Sequence, residues 1–128
     1  MLGRMPENDT AVMIVEDERV SRNALASLLT GYGYTTKAFE SAEDLLAEVE
    51  RCGWHPGVVL ADVDLPGMSG LELLSLLQRR FPDLYAVVIT AADGDVIERF
   101  CREHPFPWLP KPLNLSRLLS LLDDPQRH

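Results

Sequence analysis

The chain has 128 residues, 46% hydrophobic and 25% charged, values that fit one globular domain with a core of its own. Its formal net charge of −8, without any basic stripe, argues against direct contact with nucleic acid. The first ten residues lack the apolar core of a signal peptide and no apolar stretch is long enough to span a bilayer, so a soluble, cytoplasmic protein without membrane contact is expected.

Strand and helix patterns then alternate along the chain. Ala11-Val12-Met13-Ile14-Val15 is a compact apolar run that ends in Glu16-Asp17-Glu18. Helical spacing follows over residues 19–30, with Val20, Ala24, Leu25, Leu28 and Leu29 read as one face. Gly31-Tyr32-Gly33 stops it. Residues 34–39 read as an edge strand, since Lys37 interrupts its β-branched character. Ser41 caps a helix to about Arg51 with Leu45, Leu46 and Val49 inward, and the turn through Trp54 and His55 leads back to the sheet.

Residues 57–61 form a β-branched run of the kind buried on both faces, and it closes on Asp62. Pro66-Gly67 breaks the chain, and Ser69 with Glu72 makes a capping box for a leucine-rich helix to Arg80. A second two-faced strand, residues 84–89, ends on Thr90 and the small Ala91-Ala92. A short helix over about 94–103 is cut by His104-Pro105-Phe106-Pro107. A brief strand over 106–109 precedes Pro110-Lys111-Pro112, and Asn114 caps a last helix over 115–122. The expectation is an α/β fold, a doubly wound five-stranded parallel sheet flanked by five helices. Residues 11–122 are read as one domain, with 1–10 as an N-terminal tail and 123–128 as a C-terminal tail or the start of a linker.

Ligands of such sheets collect at the carboxyl ends of strands. The polar residues at those ends are Glu16 and Asp17, Asp62, Thr90 and Lys111. Three acids brought together repel one another unless a cation shares the space, and Mg²⁺ suits a carboxylate site that keeps waters for a phosphate to replace. A hydroxyl and an ammonium opposite them are suited to donate to phosphoryl oxygens. Asp62 is then the nucleophile that forms an acyl phosphate. Each residue has a plainer reading alone: a solvated acidic turn, a strand-end hydroxyl, a surface lysine. Five such positions at four strand ends of one edge outweigh those readings. Cys52 and Cys101 lack metal-ligand spacing and read as reduced thiols, and His55, His104 and His128 are scattered and take no role.

Val15-Glu16-Asp17-Glu18, Asp62-Val63-Asp64-Leu65-Pro66-Gly67-Met68-Ser69-Gly70, Thr90-Ala91 and Lys111-Pro112 together resemble the receiver domain of two-component response regulators, the CheY-like fold. The resemblance implies that Asp62 accepts a phosphoryl group from a histidine kinase or histidine phosphotransfer protein. It implies Mg²⁺ managed by Glu16 and Asp17, with Asp62 itself and the backbone carbonyl of Asp64 completing the metal site. Thr90 takes the place of the switch hydroxyl, Lys111 that of the phosphoryl-pairing lysine and Trp108 that of the switch aromatic. Such a domain is not an enzyme on a separate substrate, only self-catalysed, and it signals to a downstream effector or a covalently linked output domain. Three features depart from the family pattern: Glu16 where Asp is common, the carboxylate of Asp64 beside the acceptor, and the proline-rich segment before the last strand.

The rival reading takes Asp62-Val63-Asp64 as the Asp-x-Asp of a haloacid-dehalogenase-like small phosphatase. Its usual order of acids is reversed here, because the acidic pair comes first. A receiver-like module that is never phosphorylated is disfavoured by the retained Asp62, Thr90 and Lys111.

Overall fold

The computed structural model describes residues 11–53, 56–91 and 94–123. The expectations for the two tails beyond residues 11–123, and for Trp54, His55, Ala92 and His128, lie outside the described residues. Five strands, β1 (Ala11–Val15), β2 (Thr35–Phe39), β3 (Val58–Asp62), β4 (Tyr85–Thr90) and β5 (Trp108–Pro110), form one parallel sheet in the order β2-β1-β3-β4-β5. The helices between and after them are α1 (Arg19–Gly31), α2 (Ala42–Cys52), α3 (Gly70–Arg80), α4 (Asp95–Glu103) and α5 (Leu115–Leu122).

Alternation along the strands divides the core in two, because successive side chains of a strand point to opposite faces. Met13, Val15, Val59, Ala61, Ala86 and Val88 pack with Leu45, Val49, Leu73, Leu74, Leu77 and Ile97 from α2, α3 and α4. Val12, Ile14, Val58, Leu60, Val87 and Ile89 pack on the other face with Leu29 of α1 and Leu118 and Leu122 of α5. With both faces covered, β1, β3 and β4 must be apolar throughout, which is why their sequences run without alternation. β2 and β5 are the edges, and β5 tolerates Pro110, whose missing N–H costs nothing on the unpaired side.

The helix boundaries follow their caps. Ser41 accepts from the Asp44 amide, Asn114 from the Arg117 amide, and Ser69 and Glu72 close a reciprocal capping box. Two details differ from the sequence expectation. The inward face of α1 centres on Leu29, with Leu25 and Ala26 beside it, whereas Val20 is 73% exposed and Leu28 38%. Nine positions separate Val20 from Leu29, two and a half turns, so the two lie on opposite sides of the helix. The last strand begins two residues later than expected, since Phe106 instead buries in the core and its amide bonds Cys101 O at 3.2 Å.

Candidate functional site

The register of the sheet sets the carboxyl ends of β1, β3 and β4 side by side. Val15 lies opposite Ala61, Asp62 opposite Ile89 and Thr90 opposite Pro110. The residues that follow each strand therefore converge at the point where the strand order changes direction between β1 and β3. Carboxylate oxygens of Glu16, Asp17 and Asp62 all lie within 4.8 Å of one another. Asp62 is 3% exposed and Glu16 7%, while Asp17 faces solvent.

Lys111 reaches in from the end of β5. Its Nζ donates to Asp62 Oδ2 at 2.7 Å and to Glu16 Oε1 at 3.2 Å. The lysine is held by its own backbone, with the Lys111 amide donating to Thr90 O at 2.9 Å. Thr90 itself is fully buried, and the Lys111–Pro112 peptide bond is cis. The remaining oxygens of the acids are held by backbone amides: Asp64 N–H donates to Asp62 Oδ1 and Glu18 N–H to Glu16 Oε2, each at 3.0 Å. Both amides belong to residues two positions further on; for Asp62 this is the geometry of the turn that a short acid at a strand end makes for itself.

Charge and burial oppose each other here. Burial pushes the Glu16 carboxyl above its usual range, and the nearby charge of Asp62 adds to the rise against the lowering by the Glu18 amide and Lys111. Burial also works against the Lys111 charge, but hydrogen bonds to Asp62 and Glu16 outweigh it and raise the ammonium above its ordinary value. Formally, three carboxylates face one ammonium, so negative charge is left over. Hard oxygen donors in that number and spacing, two of them buried, are a donor set that fits a hard divalent cation.

Of the residues singled out in the sequence, Glu16, Asp17, Asp62 and Lys111 meet directly, and Thr90 adjoins them through its carbonyl. Asp64 contributes its amide, while its side chain is exposed. An Asp-x-Asp phosphatase needs that second carboxylate at the reacting centre, so the arrangement does not support the dehalogenase-like alternative. Trp108 stands apart, half-buried against the α2–α4 side of the core and paired with Val88. Two participants escaped the sequence reading. Arg22 Nη1 donates to the carbonyls of Glu16 and Asp17 at 3.0 and 3.3 Å, bracing the acidic turn from one turn inside α1. Its only sequence signal was a basic residue soon after an acidic run. Glu43 accepts from the Met68 amide across 25 positions of sequence, and nothing local could have announced it. Glu18, grouped with the acids in the sequence, instead caps α1 by accepting from Ser21 N–H.

Residues 12–123 match the family model of the response regulator receiver domain. The chain is 32% identical over 113 residues to the DNA-binding transcriptional regulator NtrC of Proteus hauseri, covering 88% of this chain and 24% of that one. It is 35% identical over 112 residues to the response regulator protein FleR of Pseudomonas aeruginosa, covering 87% and 23%. Among solved structures, a CheY-like response regulator receiver domain protein from Methanospirillum hungatei JF-1 superposes with a TM-score of 0.82 at 23% identity, over 90% of this chain and 91% of that one. The chain thus spans about a quarter of the length of these curated relatives.

Proposed function

The chain belongs to the response regulator receiver domain family, and on that premise we propose that Asp62 accepts a phosphoryl group in a Mg²⁺-dependent reaction. The observation that carries the reading is the buried Asp62 carboxylate with Lys111 Nζ at 2.7 Å and the Glu16 and Asp17 oxygens within 4.8 Å. Among the described residues no other group of three acids comes together in this way.

Asp62 attacks the phosphorus of the donor, the bond from phosphorus to the donor's leaving atom breaks, and an acyl phosphate forms on the carboxylate. For a phosphohistidine donor that leaving atom is an imidazole nitrogen, which departs with the bonding pair. Bound Mg²⁺ would offset the charge of the three acids and of the incoming phosphoryl oxygens. Glu16, Asp17, Asp62 and the backbone carbonyl of Asp64 would hold it. Lys111 moves its hydrogen bond from Asp62 to a phosphoryl oxygen, and Thr90 supplies the hydroxyl that follows. That displacement is relayed to Trp108 on β5, the switch surface.

A histidine kinase or histidine phosphotransfer protein supplies the phosphoryl group. The output runs to an effector protein or to a covalently linked domain, and the relative named as a DNA-binding transcriptional regulator supports the second form. Nucleic acid is not contacted by this domain itself. Residues 11–122 act as the signalling unit in the cytoplasm, and among the described residues no helix is long and apolar enough to cross a membrane. Catalysis is confined to the domain's own phosphorylation and dephosphorylation.

Acetyl phosphate tests the reading. With Mg²⁺ present, intact mass should rise by one phosphoryl group, and Asp62→Asn should show no increase. An equal increase in that variant would place the acceptor elsewhere.

A further inference from the structure

We propose that Glu43 is a positioning residue for the site, clamping the loop after Asp62 from across the fold. The proposal rests on the phosphoacceptor reading of Asp62 and adds a residue that lies outside the acid cluster.

Residues 63–69 join β3 to α3 and carry Asp64, whose amide fixes Asp62 Oδ1. The inner end of this loop is tied to the sheet by Val63 N–H on Ile89 O at 2.9 Å and to the start of α3 by Gly70 N–H on Val63 O at 3.2 Å. Its outer end is tied to α3 by the Ser69 amide on Glu72 Oε1. Between them stands Pro66, which has no N–H to give. The Met68 amide crosses to another element and donates to Glu43 Oε2 at 3.0 Å.

Two further observations show that the loop is shaped around this carboxylate. Gly67 adopts φ +75, a conformation that favours glycine. A Cβ built on it would stand 2.7 Å from Glu43 Oε2. The carboxylate therefore sits against the bare backbone of one residue and bonds the amide of the next. Glu43 lies in the first turn of α2, held by the Ser41 cap, so the clamp is anchored on a fixed element. The Met68 amide, as the leading cause, keeps the Glu43 carboxyl below its usual range. Since Glu43 is exposed and has no part in the core, replacing it perturbs the loop and not the fold.

A relaxed loop no longer presents the Asp64 backbone to Asp62 in a single arrangement, and supporting contacts of this kind commonly change metal affinity. The test compares Glu43→Ala with Glu43→Gln by Mg²⁺ titration and by amide hydrogen exchange of Met68 without metal. Both variants lose the charge, but glutamine keeps an oxygen that can accept from Met68. We expect Glu43→Ala to exchange Met68 faster and to bind Mg²⁺ on the order of three- to tenfold more weakly. Glu43→Gln should stay within about twofold of the parent on both readouts. Equal weakening in the two variants would mean that only long-range charge matters and would overturn the clamp. Unchanged Met68 exchange in Glu43→Ala would overturn it as well. A parent chain whose Mg²⁺ uptake is indifferent to Asp17→Ala would instead remove the phosphoacceptor reading, and the clamp's role with it.

Discussion

Gly70 opens α3 directly behind the acceptor strand, and replacing it with alanine tests how closely the helix is seated. A Cβ there would lie 2.2 Å from the backbone oxygen of Asp62, 2.9 Å from its carbonyl carbon and 3.2 Å from Val63 Cα. All three are backbone atoms, so no rotamer change relieves the overlap. Ordinary contact begins at 3.4 Å, and α3 and the end of β3 must part by about 1.2 Å to reach it. Overpacking of this kind costs about 1–3 kcal/mol, and a rigid partner puts the cost at the upper end. Alanine's helix propensity returns at most about 1 kcal/mol. The net loss should be about 2 kcal/mol, which moves a urea midpoint down by about 1 M for a chain of this size. Gly31→Ala is the control, because it lies in α1 with nothing within 4 Å of the added methyl. It should leave stability unchanged or raise it. Urea unfolding of both variants would refute the reasoning if their midpoints moved in the same direction. Because Asp62 rides on the displaced backbone, Gly70→Ala should also slow phosphorylation by acetyl phosphate under conditions where it remains folded.

Lys111→Met and Asp17→Ala should shift Mg²⁺ affinity in opposite directions. Loss of Lys111 leaves the buried carboxylates of Asp62 and Glu16 without their ammonium, so the metal-free fold weakens and Mg²⁺ binds about tenfold more tightly, whereas loss of Asp17 removes a ligand charge and weakens binding. Calorimetric titration showing both variants weakened alike would contradict this division of roles. At the β2 edge of the sheet, Glu48 of α2 accepts from Lys37 of β2 at 2.8 Å and from Arg51 at 2.5 Å, and Lys37 first, then Arg51, lower its pKa from 4.5 to about 2. A depressed carboxylate pKa contributes stability above the unfolded value that is lost as pH falls from 4.5 towards 2, so the Tm gap between the parent and Glu48→Gln should narrow across that window. A gap that stays constant from neutral pH to pH 2.5 would exclude the linkage.

The fold was legible because its signals are local and repeated. β1, β3 and β4 are uninterrupted apolar runs, which only a sheet covered on both faces requires. Ser41, Ser69 and Asn114 mark three helix starts at the residues where the caps are found. The failures come from tertiary context. The face of α1 was drawn too wide because five apolar residues were grouped over half the helix circumference, and the sheet covers only the part around Leu29. The start of β5 was misplaced because Phe106 and Trp108 are equally suited to a strand. Cross-strand pairing, which sequence spacing does not encode, decides that only the second is paired.

The acids of the site were legible for a different reason: strand ends can be counted. What the count does not yield is who supports whom. Arg22, Glu43 and the amides of Glu18 and Asp64 hold the cluster through hydrogen bonds to or from the backbone, and a backbone donor leaves no trace in residue type. Charge completes the logic of the site. Three carboxylates against Lys111 leave a formal excess of two negative charges, which a divalent cation would cancel. Phosphorylating Asp62 replaces a charge of −1 by about −1.5 to −2, taking the group's phosphate pKa as near 6. With a divalent cation bound, the site would then carry about half to one unit of new negative charge. The Lys111 amide is already bonded to the Thr90 carbonyl, so a lysine drawn toward this charge would pull directly on the end of β4.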